Sequence, residues 1–110
     1  MQNYEIRITR QARENLKEIR NYITTVLLSP LAAKNTMELI KSKIQSLQTM
    51  PGRAPLTPEQ PWHDEGIHRM KVNNYYIYFW IDEEHKKVQI IGIIYIRRDQ
   101  TSQLFLMDPE

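Results

Sequence analysis

Hydrophobic residues are densest between Val88 and Ile96, a stretch in which only Gln89 is neither apolar nor glycine. The stretch is rich in β-branched side chains and is far too short to cross a bilayer. Continuous apolarity of this length is typical of a strand that is buried on both faces. The sequence therefore predicts a central strand, covered by helices on one face and by a partner or the C-terminal tail on the other.

In the N-terminal half, apolar and polar side chains first alternate and then recur at helical spacing. Residues 4–9 alternate between apolar and polar side chains, which predicts a short strand with one solvated face. Apolar residues at helical spacing predict one helix over about residues 10–28 and a second from Ser29-Pro30 to the stop at Met50-Pro51-Gly52. Because almost no linker separates them, the two helices should form an antiparallel hairpin.

The C-terminal half predicts further strands after a proline-containing loop over residues 53–66. Residues 67–72, 75–81 and the central strand are separated by short polar turns, so consecutive strands should pair antiparallel. The tail from Thr101 to Glu110 is apolar and shows no element of its own. The predicted fold class is α+β, in which the N-terminal strand and a three-stranded antiparallel meander form one sheet that the helix hairpin covers on one face.

Composition and charge narrow the function only slightly. The 110 residues fit one domain, with residues 101–110 as a flexible or partner-covered tail. The absence of cysteine excludes disulfides and thiolate metal sites, and no signal peptide or membrane-spanning run is visible. We therefore expect a cytoplasmic protein without a membrane partner. A formal net charge of +2 is only weak support for a nucleic-acid partner.

Four cations lie where a binding site could form. Arg97 and Arg98 follow the central strand, while Arg69 and Lys71 share one face of a neighbouring strand because they are two residues apart. Such groups bind carboxylates or phosphates. The alternative is a solvated strand end for the first pair and a polar outer sheet face for the second, which is the commoner case for a sheet.

Two further groups of side chains, one basic and one aromatic, are candidate surfaces for a partner. One side of the first helix carries Arg10, Arg13, Lys17 and Arg20, which either bind an acidic segment or form the solvated face of an amphipathic helix. Tyr76, Tyr78 and Trp80 share a strand face opposite Tyr75, Ile77, Phe79 and Ile81, a set that should face the core. These aromatic residues either anchor a partner or stack bases, or they form a second small core under the tail.

Metal-competent side chains are few. His63, Asp64, Glu65 and His68 lie at a loop-to-strand junction without the tight spacing of structural metal sites. A surface cluster is the better interpretation, and the sequence predicts neither a metal nor another cofactor.

The order and spacing of these segments resemble the RelE/ParE superfamily of bacterial toxins from type II toxin–antitoxin systems. The resemblance rests on ARENLKEIRNYI, PLAAKN and IKSKIQSLQTMPG in the first half, and on HRMKVNNYYIYFWIDEE and VQIIGIIYIRRDQ in the second. It covers about Tyr4 to Gln100. The long helix hairpin and the closing RRD are more similar to the ParE branch than to the RelE branch.

The resemblance implies a small cytoplasmic toxin that a cognate antitoxin neutralises in a hetero-oligomeric complex. ParE-like members inhibit DNA gyrase, whereas RelE-like members cut mRNA in the ribosomal A site. We predict gyrase inhibition by direct binding. A ribosome-dependent mRNA endonuclease and an inactive homologue that only binds an antitoxin are the alternatives, so whether the protein is an enzyme stays open.

The resemblance also implies roles for the candidate residues. Target binding is expected at Arg97, Arg98, Arg69 and Lys71, and antitoxin binding at Arg13, Lys17, Arg20, Tyr76, Tyr78 and Trp80. An RNase would use Arg69, Lys71, Tyr95, Arg97 and Arg98. Two departures weaken the RNase hypothesis, because Tyr76 and Tyr95 stand where many members carry Arg and His, and a tyrosine acid or base needs a strongly lowered pKa.

Overall fold

The computed structural model describes residues 3–107 and 109. The principal elements follow the predicted order, with a short third helix added at the end. They are β1 (Glu5–Ile8), α1 (Arg10–Thr25), α2 (Pro30–Gln45), β2 (Ile67–Val72), β3 (Tyr75–Asp82), β4 (Lys87–Tyr95) and α3 (Gln100–Leu104). Two single-turn 3₁₀ helices, Ser46–Gln48 and Pro51–Arg53, follow α2. The predicted α+β class is confirmed.

The four strands form one sheet in the order β1-β4-β3-β2, so β4 is central as predicted. β1 runs parallel to β4, and β2, β3 and β4 form the antiparallel meander. A bulge interrupts the last pairing, because Tyr78 lies opposite Gly92 while Phe79 lies opposite Ile90. The extra residue, Ile91, changes which face the rest of β4 presents.

Hydroxyl caps start both long helices. Thr9 Oγ1 accepts a hydrogen bond from the N–H of Ala12, and Ser29 Oγ accepts one from Ala32, each at 3.2 Å. α1 ends at Thr25, three residues before the predicted Leu28, because Leu28 adopts a left-handed conformation (φ 54°) in the turn of the hairpin.

Two cores lie on opposite faces of the sheet. The inner core joins the helix hairpin to the sheet and contains Ala12, Ile40, Ile44, Leu47, Ile77, Phe79, Val88, Ile90 and Ile93. The outer core contains Trp62, Ile67, Tyr78, Ile91, Ile94, Leu104 and Met107. Ile91 and Ile94 reach the outer face, whereas Ile90 and Ile93 stay on the inner one, which is the consequence of the bulge.

The tail needs a correction, because it was expected to have no element of its own. Asp99 caps α3 by accepting hydrogen bonds from the N–H and hydroxyl of Ser102, at 3.3 and 2.8 Å. The helix then places Leu104 and Met107 in the outer core. Met107 lies so close to Gly92 that any side chain there would overlap its sulfur. The chain's own tail therefore covers this part of the outer face. No helix in the described part of the chain is long and apolar enough to cross a membrane.

Candidate functional site

A groove opens on the inner face, beside the second half of β4. β1 pairs with β4 only from Lys87 to Ile90, so no strand of the described residues lies next to Ile93–Tyr95 on that side. The groove has a volume of about 740 Å³ and runs between α1, α2 and the end of the sheet. Its apolar and aromatic lining includes Ile19, Tyr22, Ile23, Leu27, Tyr75, Ile93 and Tyr95, and its polar lining includes Asn15, Glu18, Asn73, Asn74 and Arg98.

Asn15 takes the place of a missing strand at the base of the groove. The last bond of the parallel ladder runs from the N–H of Thr9 to the carbonyl of Ile90, at 3.0 Å. Farther along β4, the N–H of Ile93 donates to Oδ1 of the buried Asn15 at 3.1 Å. The side chain thereby satisfies a backbone donor that the sheet leaves unpaired and fixes α1 to the bulged strand.

Tyrosines give the groove an amphipathic wall. The rings of Tyr75 and Tyr95 meet edge to face with their centroids 5.8 Å apart. Burial raises the pKa of Tyr75, and its neighbours Tyr95 and Tyr22 raise it further. The Tyr75 hydroxyl consequently stays protonated at neutral pH and can donate a hydrogen bond to a partner. Such a surface suits a peptide better than it suits a polyanion.

Residues 96–99, here called the strand-end turn, present the predicted basic pair. Arg97 and Arg98 are both exposed, and Arg98 also lines the groove. The N–H of Ile96 donates to the carbonyl of Asn74 at 2.9 Å, and the N–H of Arg98 donates to the carbonyl of Tyr95 at 3.0 Å. The turn is therefore held by backbone bonds at its start and at its second arginine.

Gln100 makes three further hydrogen bonds at this turn. Its Nε2 donates to the carbonyls of Tyr95 and Arg98, at 2.9 and 2.8 Å. Its Oε1 accepts a hydrogen bond from the hydroxyl of Tyr78 at 2.6 Å. The candidate residues predicted from the sequence did not include Gln100, although the Asp99–Ser102 spacing is a helix-capping signal that could have located the start of α3.

Arg69 and Lys71 lie on the outer face, as their spacing predicts. They pair across the strand with Tyr78 and Tyr76, respectively. Arg69 already has partners, because its guanidinium lies 4.0 Å from the centre of the Tyr76 ring and 3.5 Å from Oε2 of Glu59. Lys71 is exposed. Arg69 is thus less available to a target than the strand-end arginines.

The predicted aromatic surface is smaller than the sequence suggested. Tyr78 is 0% exposed and belongs to the outer core, with Tyr76 and Trp80 half-buried around it. Burial raises the pKa of Tyr78 to about 12, despite the lowering effect of the nearby Arg69. The tail covers Tyr78, so an antitoxin could contact Tyr76 and Trp80 at the surface but could reach Tyr78 only by displacing α3.

The cations of α1 face away from the groove. Arg13, Lys17 and Arg20 are exposed, and their spacing puts them on the other side of the helix from the groove residues Asn15 and Tyr22. Arg13 also has a local role, since its Nη1 donates to the carbonyl of Ile8 at 2.6 Å. The predicted antitoxin contacts therefore divide between two separate surfaces.

The residues expected of an RNase are not all brought together, although Tyr95 and Arg98 line the same groove. Tyr95 packs on Tyr75 on the inner face, whereas Arg69 and Lys71 lie on the outer face of the same sheet. The histidines also serve the fold, because Nδ1 of His63 lies 3.0 Å from the carbonyl of Thr57 and Nδ1 of His68 lies 2.8 Å from that of Ala54. Within residues 3–107 and 109, no three metal-competent side chains cluster.

Comparisons with known proteins agree on this architecture. Residues 6–100 match the family described as the ParE toxin of the type II toxin–antitoxin system parDE. No curated protein matches the sequence. Among solved structures, a chain of the chromosomal ParDE system from P. aeruginosa is 21% identical, with a TM-score of 0.70, and the alignment covers 86% of this chain and 97% of that one.

Two further solved structures share the fold. A chain of the RelBE2 toxin–antitoxin complex from Mycobacterium tuberculosis is 20% identical, with a TM-score of 0.61 and coverage of 86% of this chain and 93% of that one. A mutant of the E. coli toxin RelE in the free state is 17% identical, with a TM-score of 0.58 and coverage of 92% of both chains. At these identities, the structural similarity establishes the fold alone.

Proposed function

This chain belongs to the ParE toxin family of type II toxin–antitoxin systems, and we propose that it inhibits DNA gyrase by direct binding until a cognate antitoxin neutralises it. The observation that carries the target-binding part is the exposed pair Arg97 and Arg98 on a turn that hydrogen bonds hold in place. Because the backbone of the turn is already held, the two guanidinium groups can bind carboxylates on a protein surface with mainly their side chains left to order.

The antitoxin docks in the groove in this proposal. Its apolar and tyrosine-rich lining suits a segment that is disordered when free and folds on binding. Exposed apolar residues at the turn of the helix hairpin, Val26, Leu27, Leu28 and Leu31, extend this surface. Because Arg98 belongs to both the groove and the strand-end turn, a segment in the groove would cover part of the target-binding pair.

A catalytic role in mRNA cleavage receives less support. General acid–base catalysis requires the acid, the base and the cations to surround one phosphate. Here the sheet lies between Tyr95 and the pair Arg69 and Lys71. We therefore favour an inhibitor that binds its target over a ribosome-dependent RNase.

The proposal is tested with purified protein in two assays, gyrase supercoiling and mRNA cleavage on translating ribosomes. We expect the wild type to inhibit supercoiling and to leave mRNA intact. Replacing both arginines, Arg97→Ala with Arg98→Ala, should weaken inhibition about 30-fold, as the loss of a central contact does in other interfaces. A matched control, Lys34→Ala with Lys41→Ala, removes two exposed cations from α2 and should inhibit like the wild type.

Ribosome-dependent cleavage together with normal supercoiling would reject gyrase as the target. Equal inhibition by the arginine variant and the lysine control would retain the target but move the contact surface away from the strand-end turn.

A further inference from the structure

The Gln100 side chain connects the strand-end turn to the buried outer face of the sheet. It contacts the carbonyl of Tyr95, just before the turn, and the carbonyl of Arg98 within it, and it contacts the outer core through Tyr78. Of these three groups, the Tyr78 hydroxyl is the most rigidly placed, because its side chain is fully buried. Gln100 thus links an exposed turn to a buried side chain of the outer core.

The hydrogen bonds determine the orientation of the Gln100 amide. Backbone carbonyls only accept, so the NH₂ group must face Tyr95 and Arg98. The oxygen then faces the Tyr78 hydroxyl, which keeps its proton because burial raises the pKa of Tyr78 to about 12. All three bonds are satisfied only by an amide, since a carboxylate would direct an oxygen at two carbonyl oxygens.

We propose that Gln100 is the positioning residue of the strand-end turn and holds Arg97 and Arg98 in the arrangement that contacts the toxin's target. This inference rests on the proposed function for the identity of the target, but not for the effect of Gln100 on the turn. Without Gln100, the carbonyls of Tyr95 and Arg98 lose their bonds from Nε2, and the backbone bonds from Ile96 to Asn74 and from Arg98 to Tyr95 remain at the turn. The two arginines would then sample more orientations and bind less tightly.

The test uses the substitution Gln100→Glu, which keeps the shape of the side chain and removes both donors. A charge control, Gln103→Glu, makes the same change three residues later in α3. A stability control, Ile40→Val in the inner core, lowers Tm without contacting the turn. Tyr78→Phe removes the anchoring hydroxyl and should produce a smaller effect in the same direction.

Three quantities are measured for each variant: amide hydrogen exchange at Arg98, growth arrest on expression without antitoxin, and inhibition of gyrase. For Gln100→Glu we expect exchange at Arg98 to be about tenfold faster than in the charge control, as two lost hydrogen bonds imply. Inhibition and growth arrest should weaken by about tenfold, because the contacts become less ordered. The stability control should lower Tm and leave both activities unchanged.

Unchanged exchange at Arg98 in Gln100→Glu would overturn the inference, whatever the target is. Faster exchange with undiminished growth arrest would also overturn it, because the turn would then have no influence on toxicity. If the wild type arrests growth but spares gyrase, the gyrase proposal fails, while growth arrest still measures the effect of Gln100. A wild type that never arrests growth rejects both the toxin proposal and the activity part of this inference.

Discussion

The two faces of the sheet are closed in different ways, and the comparison shows where a partner can bind. On the outer face, α3 and the residues after it bury Tyr78, and Arg69 is paired with Glu59 and stacked on Tyr76. On the inner face, the helix hairpin covers most of the sheet but leaves a groove where β1 stops pairing with β4. The outer face is completed by the chain itself, whereas the inner face remains open at the end that carries Arg98.

The difference follows from the lengths of the strands. β4 spans Lys87–Tyr95, while β1 spans only Glu5–Ile8 and pairs with its first half. On the outer face, Gly92 lets Met107 approach the sheet closely, so that a short tail is enough to cover it. A protein this small can bury few apolar residues beyond these two cores. Around the groove and the turn of the helix hairpin, the exposed large apolar residues are Tyr22, Val26, Leu27, Leu28, Leu31 and Tyr95, while Phe105 and Leu106 are exposed on the tail.

The sharpest test of this comparison replaces one tyrosine on each face. Tyr78 is 0% exposed and Tyr95 is 38% exposed. We expect Tyr78→Ala to lower the free energy of unfolding by about 3–5 kcal/mol, because it opens a large cavity in the outer core. Tyr95→Ala should lower it by about 1 kcal/mol, the scale of the edge-to-face contact with Tyr75. Urea denaturation of the two variants measures both values, and similar losses would contradict the idea that only the outer face is closed.

A second test concerns the base of the groove. Asn15→Leu keeps the branched shape of the side chain but leaves the N–H of Ile93 without its acceptor, so the free energy of unfolding should fall by about 1–3 kcal/mol. Asn21→Leu, at an exposed position of the same helix, should change it by no more than about 0.5 kcal/mol. Urea denaturation again provides the measurement. Equal values for the two variants would mean that β4 does not need the Asn15 amide at its bulge.

Hydrophobic periodicity was sufficient to predict the elements that carry the fold. The β-branched run predicted the central strand, the two helical stripes predicted the hairpin, and the pair Tyr75 and Ile77 was correctly placed on the core face. The basic pair was expected at a strand end, where the structure places it. These predictions succeed because each depends on local spacing and on burial of one continuous face.

The features that the sequence did not predict depend on contacts between distant parts of the chain. Strict alternation places Ile91 and Ile93 on one face, but the bulge separates them, and it occurs beside Gly92, which contacts the distant Met107. Asn15 bonds to a residue 78 positions later, so nothing in its own helix reveals its role. Likewise, α3 is too short to be stable alone and forms because Leu104 enters the outer core.

The smallest effect we predict is a pH dependence of how firmly α3 packs on the outer face. The hydroxyl of Ser102 donates a hydrogen bond to the Asp99 carboxylate, and so does the Ser102 N–H, with a smaller effect. Both bonds lower the pKa of Asp99 below its usual value of 3.8. When folding lowers the pKa of a carboxyl, the group stabilises the folded protein fully at a pH above its unfolded-state pKa. This stabilisation is lost as the pH falls through its folded-state pKa. We therefore expect α3 to loosen below about pH 4 while α1 and α2 remain unaffected.

Amide hydrogen exchange at Ser102 and Gln103, compared between pH 6 and pH 3 after correction for intrinsic rates, measures this loosening. Asp99→Asn is the matched variant, because its amide oxygen can still cap the helix but does not titrate in this range. Its corrected exchange should be the same at the two pH values. If exchange in the wild type is also the same at both pH values, ionisation of the Asp99 cap does not help to hold the tail on the outer face. Burial of Leu104 and Met107 would then be enough to hold the tail in place, and the two faces of the sheet would differ only in their apolar contacts.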